Sequence, residues 1–423
     1  MNIKFRLLMM NFMQFAVWGA YLTSMGRYLA GVGIGANIGW FYSVQGFVSI
    51  CMPALMGIVA DRWIQAQRLL SICHLTAAAA MLVVFWLGME GGADVSFALI
   101  FPWYTLSAAF YMPTLALSNS VSYNALDKAG LDTVRNFPPI RIFGTIGFLV
   151  SMWMVDLLGI QHTCTQFLVS AAWGIALGLY ALTLPACPTR GQAGGEARRS
   201  QSVVEMLGLD ALRLLRDRRM ALFFIFSMLL GVSLQITNGY ANTFISSFAT
   251  DSRYADCYFV EHANLLISLS QISETVCILL IPVFMSRFGI KRVMLIAMLA
   301  WVLRFGFFAI GTPEWPGVTL LILSMIVYGV AFDFFNISGS LFVDKETDQS
   351  IRSSAQGLFM MMTNGFGASL GMIAAQFVVN SYTDNTDGAM VGNWPAVWGI
   401  FAAYALVVAL LFAAMFKYRH VRN

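Results

Sequence analysis

The hydrophobic and polar positions of the chain are arranged in long blocks. Mostly apolar stretches recur twelve times, and polar connections separate them. A helix needs about 20 apolar residues to cross the hydrocarbon core of a bilayer. The pattern therefore predicts an all-α membrane protein with twelve transmembrane helices, at about 6–30, 37–60, 68–89, 95–119, 137–158, 163–186, 220–248, 260–285, 291–311, 317–342, 352–380 and 394–416.

One long polar segment, 187–219, divides these helices into two sets of six. We expect it to be a cytoplasmic linker between an N-terminal six-helix bundle, 1–186, and a C-terminal one, 220–423. A weak internal repeat supports two related halves, because 110–114 in the fourth segment and 332–336 in the tenth share an offset of 222 residues. In transporters built from such repeats the substrate binds between the halves, near the middle of the membrane.

The composition excludes several classes of protein. Of 423 residues, 59% are hydrophobic and 11% are charged, whereas about 25% are charged in an average soluble domain. A soluble or disordered protein is therefore excluded. The six cysteines and four histidines are scattered without disulfide or metal-site spacing, so we expect no metal and no cofactor. Because no phosphate-binding loop or hydrolase motif occurs, we expect neither an enzyme nor an ATP-driven pump.

The positive charges predict the orientation. Of 25 lysines and arginines, 21 fall on the side of the N-terminus, two on the other side and two inside predicted helices. Cytoplasmic loops of membrane proteins carry this excess. Both termini and the linker are therefore expected in the cytoplasm, with membrane lipid around the helices. A basic face of this kind indicates orientation, so we expect no nucleic-acid partner.

A short charged turn follows the second predicted helix, and a similar one follows the eighth. Their charges could pair across the turn with neighbouring helix ends, holding one access state of a transporter. An ordinary charged turn is the alternative. The predicted latch comprises Gly57, Asp61, Arg62, Arg68, Arg287 and Lys291.

Charged residues inside predicted helices are candidates for function. Each costs at least about 2.5–3.5 kcal/mol to insert, so it should face a cavity or a partner. With 3.6 residues per turn, Arg141, Thr145 and Phe148 share one helix face. A purely structural Arg141, paired with a carboxylate, is the alternative. Arg304 has no polar neighbour along its own helix, so we expect it to reach the interface or bridge helices and assign it no substrate role.

Amides and a carboxylate occupy one face of two further helices. Gln235 and Asn238 are three residues apart, as are Gln271 and Glu274. Such groups offer donors and acceptors to a polyhydroxyl ligand such as a sugar. The same residues could instead bind one helix to another.

The tenth predicted helix combines aromatic rings with a carboxylate. Tyr328 and Phe332 share a face, where they could stack on a flat heterocycle together with Phe148. Ordinary core or lipid-facing rings are the alternative. Burial penalises the charged form of Asp333 and a nearby Arg141 would favour it, so this carboxylate could gain or lose a proton as access switches. Asp333 or Glu274 is the candidate for proton coupling.

Several long stretches resemble the bacterial nucleoside permeases of the nucleoside:H+ symporter family, within the major facilitator superfamily. They are FPPIRIFGTIGF, FFIFSMLLGVSLQITN, SQISET, SMIVYGVAFDFFNISGS and SAQGLFMMMTNGFG, at 137–148, 223–238, 270–275, 324–340 and 354–367. The resemblance implies the major facilitator fold, a place in the inner membrane and uptake of purine or pyrimidine ribonucleosides with protons. The proton would be the coupling ion, and we expect a monomer.

The resemblance also implies roles for individual residues. The amides and Glu274 would hold the ribose, and the aromatic rings would enclose the base. The positions that match the family's binding motifs are Arg141, Thr145, Phe148, Gln235, Asn238, Gln271, Glu274, Tyr328, Phe332 and Asp333.

Two other functions stay open at this point. A proton-coupled sugar or oligosaccharide symporter of the same fold would use the same amides. A receptor or scaffold would bind a solute without moving it.

Overall fold

The structure, a computed structural model, describes residues 2–187, 209–348 and 351–418, and these are almost entirely helical. Before the linker the helices are α1 (Ile3–Gly19), α2 (Met25–Gly31), α3 (Ile38–Arg62), α4 (Ala66–Gly91), α5 (Phe97–Lys128), α6 (Thr133–Leu157) and α7 (Thr165–Ala181). After it come α8 (Arg218–Ser247), α9 (Tyr258–Glu261), α10 (Ala263–Phe288), α11 (Ile290–Ile310), α12 (Gly317–Glu346), α13 (Arg352–Met360), α14 (Ala368–Tyr382) and α15 (Trp394–Met415).

Short elements complete the described chain. Three 3₁₀ turns cover Gly35–Asn37, Leu209–Arg216 and Phe248–Thr250. A hairpin of two antiparallel strands, β1 (Thr383–Thr386) and β2 (Ala389–Gly392), precedes α15.

The predicted apolar segments all coincide with helices. Within the described ranges, nine helical segments are long and apolar enough to cross a membrane. The remaining predicted segments correspond to α1 with α2, to α5, and to the shorter α7. The predicted all-α membrane architecture is therefore confirmed.

Two predicted helices are not continuous α-helices. The first is divided into α1 and α2 by a turn at residues 20–24. In the eleventh, the π-helical stretch Met361–Gly367 joins α13 to α14. Its glycines allow close approach to α8, since a side chain at Gly367 would overlap the backbone of Met228.

Contacts group the chain into two compact units. Unit 1 comprises Met1–Ile34 and Phe47–Val203, and unit 2 comprises Gly35–Gly46 and Val204–Asn423. The predicted bundle boundaries follow chain order and enclose the linker, of which 188–208 lie outside the described residues. Those boundaries stay a prediction.

The first part of α3 packs within unit 2. Ser43 and Ser369 exchange hydrogen bonds, each hydroxyl donating to the other's carbonyl oxygen at 2.9 Å. A side chain at Gly46 would overlap the Ser369 hydroxyl. Small residues therefore bring α3 and α14 into backbone contact.

In unit 1, α1 and α6 approach equally closely. A methyl group at Gly147 would overlap the backbone of Phe12, and one at Gly19 would overlap the backbone of Phe148. Small residues at helix crossings let backbones approach in membranes, where packing rather than the hydrophobic effect drives association. This crossing fixes the α6 face on which the candidate residues lie.

Candidate functional site

The helix α6 presents the predicted face of Arg141, Thr145 and Phe148 in unit 1. The Arg141 side chain is exposed and Thr145 is half-buried, while Phe148 is buried. The guanidinium carbon of Arg141 lies 4.1 Å from the centroid of the Phe15 ring on α1. A cation over an aromatic face at this distance is attracted by the ring quadrupole. Phe15 therefore helps to hold Arg141 at the accessible end of this face.

The sequence around Arg141 explains its local geometry. Pro138 and Pro139 lie inside α6, within the turn that precedes Arg141. Each proline lacks a backbone N–H and weakens the helix there. Gly144 follows Arg141 by one turn, and any side chain at Gly144 would overlap the Phe15 ring. The glycine thus makes room for the ring that contacts Arg141.

In unit 2, α8 brings the first predicted amide pair together. Gln235 and Asn238 are both half-buried, and Asn238 Nδ2 donates a hydrogen bond to Gln235 Oε1 at 2.6 Å. An amide pair joined in this way still has NH₂ donors on glutamine and a carbonyl acceptor on asparagine. The face can therefore both donate to and accept from hydroxyl groups.

The helices α10 and α12 bring two carboxylates close together. Gln271 and Glu274 are half-buried on α10, whereas Asp333 on α12 is only 5% exposed. Glu274 and Asp333 are close enough to interact electrostatically, and both interact with the Tyr328 hydroxyl. Within the described part of the chain, Asp333 Oδ2 is buried without a hydrogen-bond partner.

A glycine accounts for this proximity. A methyl group at Gly329 would lie 2.6 Å from the carbonyl group of Ser273, so only glycine permits the observed crossing of α10 and α12. The Ser273 hydroxyl donates to the carbonyl oxygen of Ile326 at the same crossing. Glu274 directly follows Ser273, and Asp333 lies about one helical turn after Gly329.

The aromatic residues of α12 form a stack. The rings of Tyr328 and Phe332 have centroids 5.5 Å apart and planes 14° apart. Tyr328 is 6% exposed, whereas Phe332 is half-buried. Trp301 of α11 packs edge-on against Tyr328, with centroids 5.9 Å apart. Phe332 is therefore the accessible end of an aromatic stack with a rigid base.

Arg304 lies at the base of this stack, although the sequence suggested no substrate role for it. It is 2% exposed, and its guanidinium carbon lies 4.5 Å from the centroid of Tyr328. It also hydrogen-bonds across to α10 and α12, so it bridges helices, one of the two expected alternatives. Its partners come from other helices, and the sequence around Arg304 carries no polar signal that would have revealed them.

Within each unit, some of the predicted site residues lie close to one another. The structure joins Gln235 to Asn238, Glu274 to Asp333 and Tyr328, and Tyr328 to Phe332. In unit 1 it places Arg141 and Phe148 on the α6 face. Their shared use by one ligand stays a prediction.

The residues of the predicted latch lie at helix ends. Gly57 is half-buried in α3, and Arg62, Arg68 and Arg287 are exposed. Lys291 Nζ donates to the carbonyl oxygen of Ala413 at 3.1 Å, tying α11 to α15. The side chain of Asp61 lies outside the described residues. A latch function stays a prediction.

Among the residues that the structure describes, no group of three histidine, cysteine, aspartate or glutamate side chains is placed to hold a metal ion. Glu274 and Asp333 are carboxylates on two helices that pack together, and a role of either in proton coupling stays a prediction.

The comparisons with known proteins bear on the whole chain. The profile of the family described as Nucleoside H+ symporter matches residues 1–421. The chain belongs to the nucleoside H+ symporter family. It is 49% identical to the nucleoside permease NupG of Escherichia coli K12, over all of this chain and 98% of the permease. It is 47% identical to the xanthosine permease of the same strain, over 99% of this chain and 97% of that protein.

Solved structures agree with this family assignment. The crystal structure of a point mutant of the nucleoside transporter NupG matches with a TM-score of 0.91 and 47% identity, over 98% of this chain and all of that one. Membership of this family confirms the predicted major facilitator fold and makes the protein a multi-pass bacterial membrane transporter. The family resemblance noted in the sequence is therefore confirmed.

Proposed function

We propose that this protein takes up purine and pyrimidine ribonucleosides together with protons across the bacterial inner membrane by alternating access. Membership of the nucleoside H+ symporter family supports the reaction. The observation that supports the site most is in unit 2, where the Glu274–Asp333 pair lies beside the Tyr328–Phe332 stack. A proton-exchanging group thus lies next to a surface that suits a flat base.

The ribose is assigned to the polar faces of α8 and α10. Gln235, Asn238, Gln271 and Glu274 supply donors and acceptors for its hydroxyl groups. These side chains are half-buried, so a ligand that reaches them displaces the water around them. Few other groups then compete for their hydrogen bonds. The base is assigned to Phe332, Tyr328 and, from α6, Phe148 with Thr145 beside it.

The proton is assigned to the carboxylate pair. A charged Asp333 in a buried position with an unpartnered oxygen is costly, and a second carboxylate nearby raises that cost. Protonation of Asp333 removes this cost. An approaching cation such as Arg141 would stabilise the charged carboxylate and so oppose its protonation. As access switches between the two sides of the membrane, the carboxylate pair would therefore bind a proton on one side and release it on the other.

Further features belong to the same proposal. The protein works as a monomer in lipid, uses the proton alone as coupling ion and has both termini in the cytoplasm. The latch residues Gly57, Asp61, Arg62, Arg68, Arg287 and Lys291 stabilise one access state. The chain comprises two six-helix bundles, 1–186 and 220–423, and the cytoplasmic linker 187–219 connects them.

The proposal is tested by uptake of labelled uridine and adenosine into proteoliposomes, with and without an inwardly directed proton gradient. We expect accumulation that the gradient stimulates and that excess unlabelled nucleoside abolishes. Competition by free ribose or maltose as strong as by nucleoside would favour a sugar symporter. Saturable binding without uptake would favour a receptor.

A further inference from the structure

Arg304 is a fully buried cation on a helix that contributes no predicted substrate ligand. Its Nη1 atom donates to the carbonyl oxygen of Ser324 at 2.7 Å and to the Ser270 hydroxyl at 3.3 Å. In return, the Ser324 hydroxyl donates to the Arg304 carbonyl oxygen at 3.0 Å. One side chain thus links α11 to both α10 and α12, the helices that carry Glu274 and Asp333.

Aromatic rings rather than a carboxylate lie against the charged group of Arg304. Among the described residues no carboxylate forms an ion pair with it, and its Nε atom is buried without a hydrogen-bond partner. Aromatic rings take that place, since the guanidinium carbon lies 4.5 Å from the Tyr328 centroid and 5.5 Å from the Phe308 centroid. Burying a cation is costly without compensation, and a desolvated cation–π contact is stronger than an exposed one. Arg304 is therefore bound firmly to the ring of Tyr328.

Fixing Tyr328 also fixes its neighbour. Phe332 stacks on Tyr328 with planes 14° apart, and Trp301 closes one edge of the tyrosine. The ring of Phe332 thus takes its orientation from a column that Arg304 anchors.

We propose that Arg304 is a positioning residue for the substrate base. It holds Tyr328, and through it Phe332, in the orientation that stacks on a purine or pyrimidine ring. The inference rests on the proposed function. It predicts that Arg304 contributes to the affinity for the base and that this contribution depends on the aromatic ring at position 328.

A double-mutant cycle tests this role, with binding of uridine and adenosine to the full chain in detergent measured by calorimetry. The variants are Arg304→Met, Tyr328→Leu and the two combined. Arg304→Met is expected to weaken binding about tenfold or more, as loss of a desolvated cation–π contact implies. In the Tyr328→Leu background the same change is expected to have almost no further effect. Tyr328→Phe keeps the ring and should keep the dependence on Arg304.

Conservative variants guard against a failure to fold. Arg304→Lys retains the charge but loses the planar guanidinium whose Nη1 atom reaches both Ser270 and Ser324, so it should bind nucleoside better than Arg304→Met and less well than the wild type. Ser270→Ala removes one acceptor and should weaken binding by a smaller factor. The matched control is Arg253→Met, an exposed arginine whose guanidinium carbon lies 5.2 Å from the Tyr254 centroid, and it should leave binding unchanged.

Equal losses from Arg304→Met in both backgrounds would overturn the positioning role, because they would show a general structural contribution. Unchanged binding by Arg304→Met in the wild-type background would overturn it as well. Uptake that ignores the proton gradient would instead contradict the proposed coupling while leaving the result of the binding cycle intact.

Discussion

Asn238 donates a hydrogen bond to the Oε1 atom of Gln235, 2.6 Å away and one helical turn earlier. The bond holds both amides in place before any ligand arrives. Side chains fixed in advance lose less conformational entropy on binding, so each hydrogen bond to the ligand contributes more to affinity. In the proposed site the pair would thus present a preformed α8 face to a hydroxyl-bearing substrate.

Replacing either amide should weaken nucleoside binding. In Gln235→Leu and Asn238→Leu one ligand contact is lost and the remaining amide loses its partner, at about 1–3 kcal/mol, or about 5- to 150-fold in Kd. Calorimetry with uridine measures the change. Asn136→Leu, which alters an amide near the start of α6, is the control and should bind normally. Normal binding by both α8 variants would exclude this face from the site.

A side chain at Gly147 should weaken the crossing of α1 and α6. A methyl group there overlaps the backbone of Phe12, so Gly147→Ala should destabilise the protein by about 1–3 kcal/mol. Gly306→Ala is the matched control, because a methyl group on Gly306 meets nothing within 4 Å and alanine favours helix. Thermal unfolding in detergent should show a lower midpoint for the first variant and an unchanged or higher one for the second.

His162 lies in the loop between α6 and α7, and its pKa is lowered. Partial burial lowers the pKa of His162 below its ordinary 6.5, and the positive charge of Arg27 lowers it further. We expect Arg27→Gln to raise the pKa of His162, measured by NMR of the histidine ring protons. Arg253→Gln, which removes a charge that does not contribute to this shift, should leave it unchanged.

The sign of the stability effect at His162 follows from linkage. Since the folded pKa lies below the unfolded one, the unfolded chain binds the proton more readily. This histidine should therefore begin to reduce the free energy of unfolding as the pH falls through 6.5, with no such effect at higher pH. A His162→Gln variant should lack that part of the pH dependence. The same pH dependence with and without the histidine would contradict this explanation.

Asp333 should be required for coupling to the proton gradient. Asn keeps the shape of the side chain but cannot titrate, so in Asp333→Asn a gradient should no longer stimulate uridine uptake. Exchange of labelled for unlabelled uridine should continue, because exchange needs no net proton movement. Asp384→Asn, at an exposed position of strand β1, is the control and should respond to the gradient normally. A gradient response preserved in Asp333→Asn would assign the proton elsewhere.

The sequence predicts the helices well because their signal is local. Long apolar blocks arise because these segments lie in lipid. Spacings of three and four residues place Gln235 with Asn238, and Tyr328 with Phe332, on shared helix faces. The structure bears out both relations. The break at 20–24 and the π-helical stretch Met361–Gly367 have no comparable signal, because packing against neighbouring helices decides them.

The proposed role of Arg304 shows why a contact between helices escapes prediction from sequence. Its neighbours along α11 are apolar, and its partners Ser270, Ser324 and Tyr328 lie on two other helices. Only the packing of α10, α11 and α12 brings them together. The proximity of Glu274 to Asp333 likewise depends on a crossing between helices, which spacing within one helix cannot predict.

In the proposed function, nucleoside and proton cross the membrane together. The most direct measurement uses proteoliposomes that contain the wild-type protein and a pH-sensitive dye, with no gradient imposed at the start. Adding uridine outside should acidify the interior, in proportion to the uridine taken up, and protein-free vesicles should show no change. Accumulation of uridine without any acidification would contradict the account.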